Sequence, residues 1–347
     1  MALYKERPSY AAYLLLILCY FITPTLARSY VQYQHFFPAW DTILQDQLLL
    51  PKCTEPISQY RNQSNPDRRL GYRVIDCILD TMPEFRKAEL ASSAVILGLA
   101  PAILQLMSAS YLDTAVLAFR RPGLAFLLSM ASSGVRPLGA GEYDDSIDKM
   151  GTEPFATNFG KPDSSQLPAF VSLLEYTVAA GAVANNAYLT YQLSTWAVCT
   201  FAPGEDFLPA IWTAAALAIH LFGYIAARLK VTVKAKTTAD HGRWNWLWAE
   251  FKPTPWQGGL VVRKESTPSG WFLVLVSALY IGDALQAFFG TLVLSSLVFI
   301  SVRDSAIIVI RLTASALFAR GILIYELTAF RTEDEKESVL NDSIHSC

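Results

Sequence analysis

"CTEPISQYRNQSNPDRRLGYRVIDC", residues 53–77, is a polar stretch in a chain that is otherwise largely apolar. It holds Cys53 and Cys77, the triplet Asn62-Gln63-Ser64 and four arginines. If it lies outside a membrane, the cysteines can form a disulfide and Asn62 can carry a sugar. If it lies inside, the arginines act as a topology signal. Every other loop takes its side from this one.

The membrane setting follows from how the apolar residues are distributed. The 347 residues are 52% hydrophobic and 17% charged, and the apolar ones fall in charge-free blocks close to the ~20 residues that cross ~30 Å of hydrocarbon. Residues 1–27 carry Lys5 and Arg7, an apolar core "AAYLLLILCYFI" and the small-residue end "TPTLA". That pattern is a cleaved signal peptide or a first transmembrane helix with its N-terminus inside, and both place residues 28–89 outside. A span is predicted over 90–112, where Pro101 would kink a helix. Hairpins of two spans each are predicted over 168–227, turning at "FAPGED", and over 270–329, turning at 302–304. The net charge of -2 gives no reason to expect a nucleic-acid partner.

Sidedness depends on a count. Residues 228–269 carry eight lysines and arginines against three acids, so this Trp-rich loop belongs in the cytoplasm by the positive-inside rule. The cysteine pair and sequon favour the outside for 28–89, so an odd number of crossings must separate the two loops. The weakest window is 122–135, with only 14 residues between Arg121 and Arg136. Reading it as an interfacial or re-entrant helix within a cytoplasmic segment 113–167 resolves the parity. The expected fold is an all-α polytopic bundle of about six spans, or five if the first is cleaved. It has a disulfide-closed outer loop and an acidic cytoplasmic tail, 330–347. The rival is a seven-span arrangement with the N-terminus outside, which leaves the cysteines reduced and the sequon unused.

Ionisable residues inside spans need partners. In the second hairpin Asp283 and Arg320 fall at equal depth, and a salt bridge between them is predicted. In the first, Asn186 falls level with His220, with Asn185 one position away. Arg311 lies near the midplane with no acid of matching depth in the neighbouring helix. Asp304 is seven positions before it on the same face, but nearer the outer surface. Helix–helix glue is the plain reading of these groups; a polar-lined path for a small solute or ion is the sharper one. Trp244, Trp246, Trp248 and Trp256 fit a headgroup anchor or a partner-binding loop.

Enzymatic motifs are missing. The chain has no P-loop, HExxH, GxSxG or dinucleotide fingerprint, and histidines at 35, 220, 241 and 345 make no metal spacing. "YIGDAL" and "EYDD" echo intramembrane aspartyl proteases, but Tyr280 stands at the first glycine position and Tyr143-Asp144 lies in a polar loop. No catalytic residue, cofactor or metal is expected. Cys19 and Cys199 read as small apolar residues. A receptor or scaffold binding through the outer loop and the basic loop is the second functional class, and a membrane-plane enzyme the third.

The stretches "CILDTMPEFRKAELASSAVILGLAPAIL" (77–104), "AFRRPGLAFLLSMASSG" (118–134) and "EYDD" (142–145) resemble a group of uncharacterised multi-pass membrane proteins of filamentous fungi. The resemblance implies a eukaryotic integral membrane protein and transfers no functional residue; the location expected from the sequence as a whole is the secretory pathway, at the plasma membrane.

Overall fold

The computed structural model describes residues 32–62, 68–139, 141–148, 167–235, 250–256, 260–264, 270–328 and 330–332. The segment 1–27, Gln63 and Ser64 of the sequon, Trp244, Trp246 and Trp248 lie outside them.

Among the described residues five helices are long and apolar enough to cross a membrane: α4 (Glu84–Met107), α8 (Leu167–Thr195), α9 (Leu208–Lys230), α10 (Gly270–Ser295) and α11 (Val302–Leu327). At 1.5 Å per residue each exceeds the ~30 Å hydrocarbon thickness. Between 22% and 44% of each apolar window is buried inside the protein, so most of that surface faces outward. Leu106, Leu173, Phe288 and Phe318 are among the large apolar side chains left exposed. Lipid is the solvent that accepts such surface, and the helix is the element whose backbone needs no water. The protein is an integral membrane bundle. It divides into two compact units, described separately.

The first unit comprises residues 1–99, 189–214 and 290–308. Its opening segment, expected as a loop, is folded into α1 (Asp41–Leu48), α2 (Pro51–Asn62) and α3 (Arg68–Thr81). In α3, Leu70, Val74, Cys77 and Ile78 share one buried face while Arg73, Asp76 and Asp80 point away, the 3.6-residue periodicity of an amphipathic helix. Cys53 and Cys77 form a disulfide, with Cα atoms 5.5 Å apart across 24 residues of chain; closing a loop of that length contributes roughly 3 kcal/mol on the chain-entropy model. Asn62 is exposed as the last residue of α2.

The turn ends of the two predicted hairpins belong to this unit. Strand β1 (Val198–Cys199) pairs antiparallel with β4 (Leu297–Val298), Val198 opposite Val298 and Cys199 opposite Leu297. Phe299, at φ 69°, turns its ring into a core with Tyr33, Phe36, Trp40 and Leu44. Tyr33 and Phe36 meet it edge-on, with ring centroids at 6.5 and 5.9 Å. Tyr72 donates from its hydroxyl to Phe201 O at 3.2 Å, and Gly71 has no room for a Cβ, which would lie 2.8 Å from Pro203. Ser301 caps α11, its hydroxyl accepting from Asp304 N at 3.0 Å, while the Asp304 carboxylate accepts from the Ser301 hydroxyl at 3.0 Å and from Ala39 N at 3.2 Å. These contacts assign Asp304 to the helix start, away from the depth of Arg311.

The second unit comprises residues 100–188, 215–289 and 309–347. Helix α5 (Tyr111–Ala118) begins with a capping box in which Ser110 and Asp113 satisfy each other's backbone N–H. Helix α6 (Pro122–Met130) has nine residues and proline at its start, about 13 Å of rise and too short to span. Leu124 and Leu128 pack it against Ala179, Ala182, Ala319 and Leu323. The acidic "EYDD" forms the start of α7 (Glu142–Asp148), which buries Tyr143 and Ile147 against Phe272 and Val276. A small sheet was not anticipated: β2 (Val231–Ala235) runs antiparallel to β3 (Leu260–Lys264), which is parallel to β5 (Phe330–Thr332). It orders both ends of the 228–269 segment and the first residues after α11. A 3₁₀ turn, Thr254–Trp256, sets the Trp256 ring 6.3 Å from that of Tyr325.

Among the described glycines of the first unit the least room is at Gly290, where a Cβ would stand 2.2 Å from Nε1 of the buried Trp212. Gly290→Ala is expected to lower stability by about 1–3 kcal/mol through overpacking, read as thermal unfolding of the detergent-solubilised protein. Gly282→Ala, with nothing within 4 Å of the added atom, serves as the control and is expected to melt with the wild type.

Candidate functional site

Asp283, Arg311, Arg320, His220, Asn185 and Asn186 all lie in the second unit, but they do not converge on one cavity. Asp283 sits 13 residues after the start of α10 and 12 before its end, about 20 and 18 Å from the two ends. It is 1% exposed. Its Oδ2 accepts from Gln105 Nε2 at 3.2 Å, and Oδ1 has no hydrogen-bond partner among the described residues. The predicted bridge to Arg320 is not formed. Arg320 donates instead to the carbonyl of Leu106 at 3.1 Å. Gln105 and Leu106 are consecutive residues of α4, so the two groups are separately taken up by a third helix that depth arithmetic within one hairpin does not count.

A polar belt continues from Asp283 on the same face of α10. Gln286 Nε2 donates to Ser133 O at 2.8 Å, the Ser133 hydroxyl donates to Asn186 Oδ1 at 2.7 Å, and Asn186 Nδ2 donates to Met130 O at 3.0 Å. Ser108 and Ser132 share a hydrogen bond of 2.7 Å, and Ser132 also donates to Gly134 O at 3.0 Å. The belt therefore meets the non-helical residues after α6, and three of their neighbourhood's carbonyls are satisfied by side chains. Irregular backbone persists in a membrane protein where it is buried this way.

Asn186 and His220 do not pair. His220 Nδ1 is 2.9 Å from the Thr114 hydroxyl. Asn185 faces a different neighbour from Asn186, as expected for adjacent helical positions about 100° apart. It accepts from Arg311 Nε at 2.9 Å and Nη2 at 2.7 Å, and donates to Ser315 Oγ at 2.8 Å. The half-buried Arg311 guanidinium also lies over the Tyr188 ring, 5.8 Å from its centroid.

The strongest polar constellation is one that sequence reasoning missed. Arg121, which entered the sequence reading only as a flank of the 122–135 window, is fully buried. Its Nη1 donates to Glu175 Oε2 at 2.6 Å and to Glu326 Oε1 at 2.7 Å, its Nη2 to Ser172 Oγ at 2.7 Å, and its Nε to Glu250 O at 2.8 Å. Glu250 turns Oε1 to the start of α6, accepting from Gly123 N at 2.9 Å, Leu124 N at 3.2 Å and Tyr176 OH at 2.5 Å. An acid at a helix N-terminus uses the free N–H groups there, and Pro122, with no N–H to leave unmet, suits the first position. Thr254 closes the hub, its N–H donating to Glu326 Oε2 at 3.2 Å and its hydroxyl to Glu326 O. Burial opposes the charge on Arg121; the carboxylates of Glu326 and Glu175 outweigh it and hold the guanidinium above its ordinary value. The available signal was the isolated acid in each of two apolar segments, Glu175 and Glu326, each requiring a cation in reach.

Removing one partner of a buried ion cluster strands the others. Arg121→Met is expected to destabilise the protein by about 3–5 kcal/mol, measured by denaturant or thermal unfolding in detergent. Arg121→Lys should recover only part of this, because a point charge cannot serve four acceptors in the directions of a planar fork.

Comparison with models of known families, with curated proteins and with solved structures finds no match.

Proposed function

We propose that the protein moves a small solute or ion across the membrane through the interior around Asp283. The observation that supports this reading is a carboxylate at mid-span, 1% exposed, that no ion pair reaches among the described residues. A charge at a helix centre costs roughly 2.5–3.5 kcal/mol on insertion scales. Helix–helix adhesion alone could be supplied by a neutral amide, as Gln286 does three residues away. Gln105, Gln286, Ser133 and Asn186 supply neutral donors and acceptors beside it, the kind of lining that replaces a hydration shell. The reading is non-enzymatic and invokes no cofactor.

The proposed topology places 28–89 outside with the Cys53–Cys77 disulfide and a sugar on Asn62, and 228–269 in the cytoplasm. The first segment is a signal peptide or first span, in a protein of the secretory pathway at the plasma membrane. The gathering of α1–α3 with the turns at 200–206 and 296–301 in one unit supports a common side for these three segments. Likeness to the fungal membrane-protein group is part of the same proposal. A receptor or scaffold role draws support from apolar side chains exposed in the opening segment, Leu49 at 75% and Phe85 at 65%, which would suit a protein partner.

Asp283→Asn separates the two. In proteoliposomes assayed with a panel of labelled amino acids, sugars and inorganic ions, any member that the wild type transports is expected to lose at least tenfold in flux in this variant, with melting temperature unchanged. Equal flux in wild type and variant contradicts the role given to Asp283.

A further inference from the structure

The Arg121 hub contains more negative than positive charge. Its guanidinium has one charge, and both hydrogens of Nη1 are committed, one to Glu175 Oε2 at 2.6 Å and one to Glu326 Oε1 at 2.7 Å. Two carboxyl oxygens at 2.6 and 2.7 Å from one nitrogen can stand no further apart than the sum of those distances, close enough for one charge to disfavour the other. Glu250 is supported separately by the N–H groups of Gly123 and Leu124 and by the Tyr176 hydroxyl, so it draws nothing further on the cation than the Nε contact to its carbonyl. Glu326 uses its other oxygen to accept from Thr254 N. Glu175 is 5% exposed, and its Oε1 meets no hydrogen-bond partner among the described residues. Among the described residues the Tyr325 phenol also faces the pair; it brings no positive charge.

Among the described residues two buried carboxylates against one guanidinium leave one negative charge unmatched, and a shared site of this kind keeps a proton on one member. We propose that Glu175 and Glu326 hold a single exchangeable proton between them, making the hub a proton-binding site that clasps the 250–256 segment to α11. In the occupied state one carboxyl is a neutral acid and the other an ion paired with Arg121. On release the proton passes to water, both carboxyls are charged, and their repulsion acts on the contact that Thr254 makes with Glu326. This inference rests on the hub alone and is independent of the transport reading. Glu326 lies 24 residues after Val302, about 36 Å along α11 and so beyond one hydrocarbon thickness. A proton there has a short route to water at the membrane surface.

The test is infrared spectroscopy of the full-length protein in lipid nanodiscs at neutral pH. A protonated-carboxyl C=O band is expected that shifts down in D2O. It should shift again when the protein carries ¹³C-labelled glutamate, and it should vanish in both Glu175→Gln and Glu326→Gln while persisting in Asp283→Asn. Glutamine matches a neutral carboxyl in shape, so both variants should fold. Their melting temperatures should stay level as pH rises through the alkaline range, where the wild type loses the proton and melts earlier. A wild-type spectrum with no band sensitive to both D2O and ¹³C-glutamate overturns the proposal without recourse to any variant. A band of undiminished intensity in both folded variants overturns it equally.

Discussion

A single buried guanidinium, that of Arg121, joins four segments remote in sequence: the turn between α5 and α6, the first third of α8, the 250–256 segment and the end of α11. Away from water a polar group must be met by protein, because leaving it unmet costs several kcal/mol in an apolar medium. That requirement gives one arginine its organising effect. Any packing that moved α6 by a turn would strand Arg121, two glutamates and the free N–H groups that Glu250 covers. Such a cluster adds little net stability relative to apolar residues of equal volume. What it contributes is a penalty on alternative arrangements, and the α5–α6 excursion needs one because helices of eight and nine residues have little cooperative stability of their own.

The same requirement explains the residues beyond α6. After Met130 the chain leaves helical geometry, and the carbonyls of Met130, Ser133 and Gly134 are met by Asn186, Gln286 and Ser132. Neutral amides and hydroxyls suffice there. Asp283 stands out against this background because it brings a carboxylate into the same belt with only an amide to receive it. In the other unit the solution is of a soluble kind: a disulfide, edge-on aromatic packing and amphipathic helices around Val74, Ile78 and Phe299.

Much of this is legible in the amino-acid sequence. Charge-free windows locate the five long helices, and the first of these starts at Glu84 rather than at residue 90 because a helix that leaves the membrane continues through polar residues. It also runs on through Pro101 without a break in the helix. The Cys53–Cys77 pairing followed from two cysteines sharing one polar segment. Helix neighbours were not legible. Equal depth in one hairpin suggested Asp283 with Arg320, whereas both contact α4, and nothing in a one-dimensional depth count reports which third helix stands between two others. Arg121 was counted as a charge and not as a side chain with donors to place. The strands 231–235, 260–264 and 330–332 pair across long separations, and short strands of this kind carry no strong local pattern.

The side of the membrane taken by the Cys53–Cys77 segment governs the proposed topology, and glycosylation in the native host reads it directly. The expected result is a mobility shift on glycosidase treatment that Asn62→Gln abolishes, with both cysteines resistant to alkylation until reduced. A native protein that carries no sugar at Asn62 and alkylates freely at Cys53 and Cys77 would contradict it.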